Sequence, residues 1–76
     1  MKAKYVMTDN GIIVFPESFS HSDFSRFNPT SAGFISFGAT GRYEPVCECY
    51  GESITLKLKS GKKDTDMAMR QLINDY

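Results

Sequence analysis

The sequence predicts an α+β fold: a mostly antiparallel sheet of about five strands with one short helix and one C-terminal helix, in the order ββαβββα. Three observations predict it. Apolar runs of strand length are separated by glycine-containing turns, a serine-rich segment carries a helix-capping pattern, and the last stretch has apolar residues at helical spacing. With 76 residues, we expect a single small globular domain over residues 1–76.

The first two strands are predicted at about 3–9 and 12–16, on either side of an Asn10-Gly11 turn. Asn-Gly favours a type I′ hairpin, because that turn needs a positive φ at both central residues. Both alternating faces of this hairpin are apolar. This pattern is typical of strands that are covered on both sides, so we expect the hairpin in the interior of the sheet.

A short helix is predicted after the second strand, with Ser20 as its N-cap. Asp23 then lies at N3, in a position similar to that of a capping box, and Phe19 and Phe24 have the spacing of a hydrophobic staple. Pro29 ends the helix, since the residue before a proline avoids α geometry.

The remaining strands are predicted at 34–37, 42–50 and 53–59, the last with strict alternation. A final helix follows, with Asp64 or Thr65 as its cap. Its predicted buried stripe repeats at i, i+3, i+4 and i+7. The stripe comprises Met69, Leu72, Ile73 and Tyr76.

The two cysteines are predicted to face the core. A two-residue turn at Gly51-Glu52 would place Cys49 opposite Ile54 and Cys47 opposite Leu56, and directly opposite residues share a sheet face. A metal or thiol site would need Cys47 and Cys49 together with His21 and Asp23, but this spacing does not match the recurring pairs of zinc sites. We interpret both cysteines as buried structural residues, and we predict no metal and no cofactor.

The opposite face of the sheet is predicted to carry the functional surface. If residues 38–41 form a four-residue loop, Ile35 and Phe37 lie outward beside Val46 and Tyr50. A contiguous exposed apolar patch usually marks an interface, so these four residues predict binding to another protein or to a second copy of this chain. The competing interpretation is that the first hairpin or the short helix covers this face within the chain.

Nucleic-acid binding is the alternative function. Phe37 and Tyr50 would stack on unpaired bases, and basic side chains would contact phosphates. The basic candidates are Arg42, Lys57, Lys59, Lys62, Lys63 and Arg70. Nine basic residues balance nine acidic ones, and this neutral charge argues against a general nucleic-acid binder.

Catalytic motifs for nucleophilic hydrolysis, zinc proteolysis and nucleotide binding are not found in the sequence, and we predict a non-enzymatic interaction or regulatory module. No apolar run approaches the ~20 residues that span a bilayer, and no secretory leader pattern is present, so we expect no membrane association. Two cysteines this close together predict a reducing, cytoplasmic setting. The size and composition are typical of short bacterial or phage proteins.

Overall fold

The computed structural model of the chain describes residues 1–73 and confirms the predicted α+β class. In chain order the elements are β1 (Lys2–Thr8), β2 (Gly11–Phe15), a 3-10 helix (His21–Phe27), β3 (Ser31–Ala39), β4 (Pro45–Tyr50), β5 (Glu52–Ser53), β6 (Leu58–Lys59), α1 (Asp64–Ala68) and a π-helical turn (Met69–Ile73) that continues α1. We call α1 and the π-helical turn together the C-terminal helix.

The main sheet has four antiparallel strands in the order β2-β1-β3-β4, and β5 pairs with β6 in a separate two-stranded sheet. One face of the main sheet, here the helix face, packs against the C-terminal helix. The opposite face, here the aromatic face, packs against the 3-10 helix and the small hairpin. The helix face carries Ala3, Tyr5, Met7, Ile35 and Cys47, and the aromatic face carries Val6, Phe15 and Ala32.

The first hairpin forms as predicted, although its turn and its place in the sheet differ. Thr8 pairs with Gly11, so Asp9 and Asn10 are the turn residues, and Gly11 has a positive φ of 123° whereas Asn10 does not. The Thr8 hydroxyl stabilises the turn by donating to the Gly11 carbonyl at 2.9 Å. β1 is an interior strand, but β2 lies at the edge, so the prediction that both are interior is wrong for β2.

The short helix begins with the predicted capping box. Ser20 is the N-cap, its backbone N–H donates to the Asp23 carboxylate, and Phe19 stacks near Phe24 with ring centroids 6.5 Å apart. The helix ends at Asn28, which adopts a left-handed φ of 53°. His21 is buried rather than exposed, because its Nε2 donates to the Gly33 carbonyl of β3 at 2.8 Å.

The predicted register between the third and fourth strands is wrong by five residues. β3 runs on through Gly38 and Ala39, so that Ala39 pairs with Pro45 and Ile35 pairs with Cys49. The Thr40 hydroxyl accepts from two backbone N–H groups of the connecting loop and holds its shape. A shift by an odd number of residues exchanges the two faces of one strand relative to the other.

The predicted fifth strand is divided into two short strands. Residues 54–57 form a turn in which Ile54 is 83% exposed and Lys57 has a positive φ of 56°. The Ser53 hydroxyl accepts from Leu56 N–H and stabilises the turn. This segment therefore pairs with itself, and β4 remains an edge strand of the main sheet.

The C-terminal helix forms where it is predicted, with a different cap and a different buried stripe. Its N-cap is Lys63, which makes no capping bond through its side chain. Met69 and Ile73 pack on the core as predicted, and the small Ala68 is fully buried in the helix-face core. Leu72 is 42% exposed, which corrects its predicted burial. The fourth member of the stripe, at position 76, lies outside the described residues.

Two alanine variants test this arrangement of the core. Ile35 is fully buried, so Ile35→Ala should lower the free energy of unfolding by about 2–5 kcal/mol. Leu72→Ala removes a largely exposed side chain and should cost less than about 1 kcal/mol. Urea unfolding followed by circular dichroism measures both. Similar losses for the two variants would contradict the observed burial.

Candidate interaction surface

The four residues predicted as one outward patch do not form one surface. Ile35 is fully buried, and Phe37 is half-buried against the helix-face core. Val46 and Tyr50 lie on the aromatic face, and the Tyr50 ring stacks near Phe34 with centroids 6.0 Å apart. The predicted patch is therefore wrong in its geometry. The five-residue register difference is the cause, because it reverses the faces of Ile35 and Phe37 relative to β4.

The structure also separates the two aromatic residues of the nucleic-acid hypothesis. Phe37 and Tyr50 lie on opposite faces of the sheet, so one bound strand does not stack on both rings. The basic candidates are exposed, but they belong to several separate segments of the chain. They are Arg42 in the β3–β4 loop, Lys57 and Lys59 in the small hairpin, Lys62 and Lys63 before α1, and Arg70 in the π-helical turn.

The side chains of the metal hypothesis are not brought together either. Cys47 and Cys49 lie on the helix face, whereas His21 packs edge-on against Phe15 and Phe34 on the aromatic face. Among residues 1–73, no cluster of three or more His, Cys, Asp or Glu side chains is arranged to hold a metal ion.

Both cysteine thiols are held in the protonated state. Burial raises the pKa of Cys47. The pKa of Cys49 is raised to about 12, mainly by burial and further by the nearby Cys47 and the Asp64 carboxylate. A thiol is nucleophilic only as the thiolate, so this environment indicates a structural role for both cysteines.

Asp64 forms a buried polar cluster that fastens the C-terminal helix to the sheet. Its Oδ2 accepts from the Tyr5 hydroxyl at 2.5 Å, the Ser31 hydroxyl at 2.6 Å and the Gly61 N–H at 2.8 Å. Tyr5 belongs to β1 and Ser31 to β3, so one carboxylate oxygen joins the two central strands to the start of α1. Since a buried carboxylate is costly unless it is hydrogen-bonded, these donors account for its position.

The outer edge of β4 is covered by the C-terminal helix. The Thr65 hydroxyl accepts from the Cys49 N–H at 2.9 Å and lies 3.5 Å from the Cys49 carbonyl, to which it donates. The Cys47 N–H points to the Met69 sulfur at 3.3 Å. These contacts occupy the outward N–H groups of Cys47 and Cys49 and the Cys49 carbonyl, which an added strand would otherwise use.

The outer edge of β2 is mostly open. Ile12 N–H points away from β1 and donates to the Gln71 amide oxygen at 2.8 Å. Because backbone groups alternate in direction along an antiparallel strand, the N–H and C=O of Val14 also point outward. Within residues 1–73, no hydrogen bond covers these two groups of Val14. The strand is Gly-Ile-Ile-Val-Phe and carries no charge that would oppose pairing.

A row of phenylalanines on the 3-10 helix forms a second exposed feature. Phe24 stacks on the buried Phe15 at 4.0 Å, and Phe19 and Phe27 lie on either side of Phe24 at 6.5 and 6.2 Å. The rings of these neighbours are within 30° of parallel. We call Phe19, Phe24 and Phe27 the phenylalanine ridge.

The sequence contains partial signals for both features. The staple at Phe19 and Phe24 predicts that these rings meet, but it does not predict that Phe27 extends the row. The sequence does not predict the open edge of β2, because this strand is apolar on both faces, as an interior strand is. The cover of β4 rests on Thr65, whose hydroxyl reaches a strand sixteen positions earlier, and no local pattern indicates such a contact.

Comparisons of the chain with protein-family models, with curated proteins and with solved structures find no match. In the part of the chain from residue 1 to residue 73, no helix has the length and apolar character needed to cross a bilayer.

The thiol environment predicts a loss of stability at alkaline pH. A group whose pKa is raised by folding stabilises the folded state below its ordinary pKa, here 9.0 for Cys49, and this contribution is lost as the pH rises above that value. The urea midpoint should therefore fall as the pH rises from about 9 to about 12, the pKa values of the Cys49 thiol in the unfolded and the folded chain. The fall should be smaller in a Cys47→Ala/Cys49→Ala variant. An equal fall in both proteins would assign the effect to other groups.

Removal of the Thr65 hydroxyl should lower the stability of the fold, although valine has the same shape as threonine. Thr65→Val leaves the outward N–H of Cys49 without its acceptor, and the expected loss is about 1–3 kcal/mol in the free energy of unfolding. Thr55→Val, in the exposed turn of the small hairpin, is the matched control; it removes a long 3.3 Å bond between two hydroxyls, to Ser53, and should cost less than Thr65→Val. Urea unfolding of the two variants makes the comparison.

Proposed function

We propose that this chain is a small non-enzymatic interaction module that self-associates through the edge of β2. The observation that carries this proposal is the difference between the two edges of the sheet. The C-terminal helix covers β4 through Thr65 and Met69, whereas on β2 the hydrogen bonds of residues 1–73 cover the outward N–H of Ile12 and leave Val14 open. An open and uncharged edge strand is a template for pairing with another strand.

The roles of the chemically reactive side chains support a non-enzymatic function. The His21 imidazole is bound to a carbonyl, and the Asp64 carboxylate is engaged by three donors. The thiols of Cys47 and Cys49 are kept protonated by burial. Each of these side chains thus helps to hold one structural element against another. The two free thiols also support a reducing, cytoplasmic setting as part of the proposal.

A second copy of the chain is the partner that fits this edge. The chain has no net charge, so two copies meet without long-range repulsion. A two-fold axis at Val14 would let the two Val14 residues exchange N–H···O=C bonds. In that register Ile12 of one copy faces Pro16 of the other copy. Pro16 has no N–H to donate, and the Ile12 N–H keeps its bond to Gln71 of its own chain. Two four-stranded sheets would then continue as one.

A proline substitution tests this pairing. Val14→Pro removes an outward N–H that makes no bond within the sheet, and proline is tolerated on an edge strand whose N–H faces solvent. The wild type should show a mass near twice the 8.5 kDa of the chain in light scattering at high concentration, and Val14→Pro should be a folded monomer. Because the contact is small, we expect dissociation on the order of micromolar concentrations.

Two further variants separate loss of pairing from loss of folding. Ile13→Pro is the matched control, because the Ile13 N–H faces β1 and its loss should unfold the hairpin. Val14→Lys adds a charge to the edge and should also give a monomer, with some loss of stability because the partly buried Val14 side chain packs against the helix-face core. A monomeric wild type would refute the proposal. Binding of a single-stranded oligonucleotide that weakens steeply with salt would favour the nucleic-acid alternative.

A further inference from the structure

The phenylalanine ridge is exposed but held in one arrangement. Phe19 is 50% exposed and Phe27 is 43% exposed, while Phe24 is anchored on the buried Phe15. The capping box at Ser20 fixes the start of the 3-10 helix that presents the three rings. Aromatic side chains that are already ordered lose little conformational entropy on binding, and such residues are frequent anchors of protein interfaces.

The charges in contact with the ridge are positive. The Arg26 guanidinium lies 5.0 Å from the centre of the Phe27 ring, and the Lys4 ammonium donates to the Phe19 carbonyl at 2.7 Å. The carboxylate of Asp23 on the same helix is turned back to the Ser20 N–H. Apolar rings bordered by cations are complementary to a surface that combines apolar side chains with carboxylates.

We infer that the phenylalanine ridge is a docking site for an amphipathic helix of a partner protein, with apolar anchors and flanking acidic residues. A row of three rings suits the i, i+3, i+4, i+7 spacing with which a helix presents its apolar face. A protein segment is favoured over nucleic acid, because within residues 1–73 the cations in contact with the ridge are Arg26 and Lys4, and the basic candidates of the sequence lie elsewhere. This site is separate from the backbone edge of β2.

A pair of synthetic helical peptides tests this inference. One has leucines at i, i+3, i+4 and i+7 with glutamates between them, and the other has lysines in place of the glutamates. Fluorescence anisotropy at low salt should give at least about tenfold tighter binding for the acidic peptide. Arg26→Glu changes an exposed charge, so it should leave the fold intact and reverse this preference.

Two serine variants locate the bound peptide on the chain. Phe27→Ser should weaken binding of the acidic peptide by about tenfold or more, as expected for an exposed aromatic anchor of an interface. Tyr43→Ser is the matched control, because Tyr43 is 90% exposed in a different loop, and it should bind as the wild type does. Equal binding of both peptides, or an equal loss in the Tyr43 variant, would overturn the inference.

Light scattering on the same variants distinguishes this site from the proposed self-association. Phe27→Ser should retain the oligomeric state of the wild type, whereas Val14→Pro should retain binding of the acidic peptide. If Phe27→Ser instead abolishes self-association, the ridge belongs to the contact between copies and the inference is wrong. If single-stranded oligonucleotide displaces the peptide from the ridge, the partner chemistry is wrong.

Discussion

The fold depends on one buried carboxylate more than on any other single group. The Asp64 oxygen joins Tyr5 of β1 and Ser31 of β3 to the start of the C-terminal helix, and it also fixes Gly61 in the preceding loop. A helix this short does not persist in isolation and must dock to be stable. The hydrogen bonds of the Asp64 carboxylate orient the docked helix, because the apolar contacts of so short a helix are small. Its donors also explain why an acidic residue lies in the core.

The docked helix determines the properties of the rest of the sheet. It buries Cys47 and Cys49 and thereby keeps their thiols protonated, and it brings Thr65 to the edge of β4. The opposite face is covered by different means, through the stacking of Phe24 on Phe15. Both faces of a short chain are thus used for packing. The surfaces that remain are the edge of β2 and the phenylalanine ridge.

Local patterns in the sequence predict the elements whose causes are local. The capping box at Ser20 and the first hairpin depend on residues within a few positions of one another, and both form. The register of β3 and β4 does not follow from such patterns, because Gly38 reads as a turn residue but continues the strand. The left-handed conformation of Lys57 also has no sequence signal, since lysine has no preference for it. Because of this register error, the sequence-based prediction places Ile35 and Phe37 on the wrong face of the sheet.

The cover on β4 has a consequence for stoichiometry. A sheet with one open edge pairs once, and pairing about a two-fold axis leaves no further edge, so the proposed self-association would close at two copies. A sheet with two open edges has no such limit and extends into a filament by repeating the same contact. In the proposed assembly the hydroxyl of Thr65, 2.9 Å from the Cys49 N–H, would therefore act as a chain terminator in the polymer sense and would set an upper bound on how many copies add to the sheet.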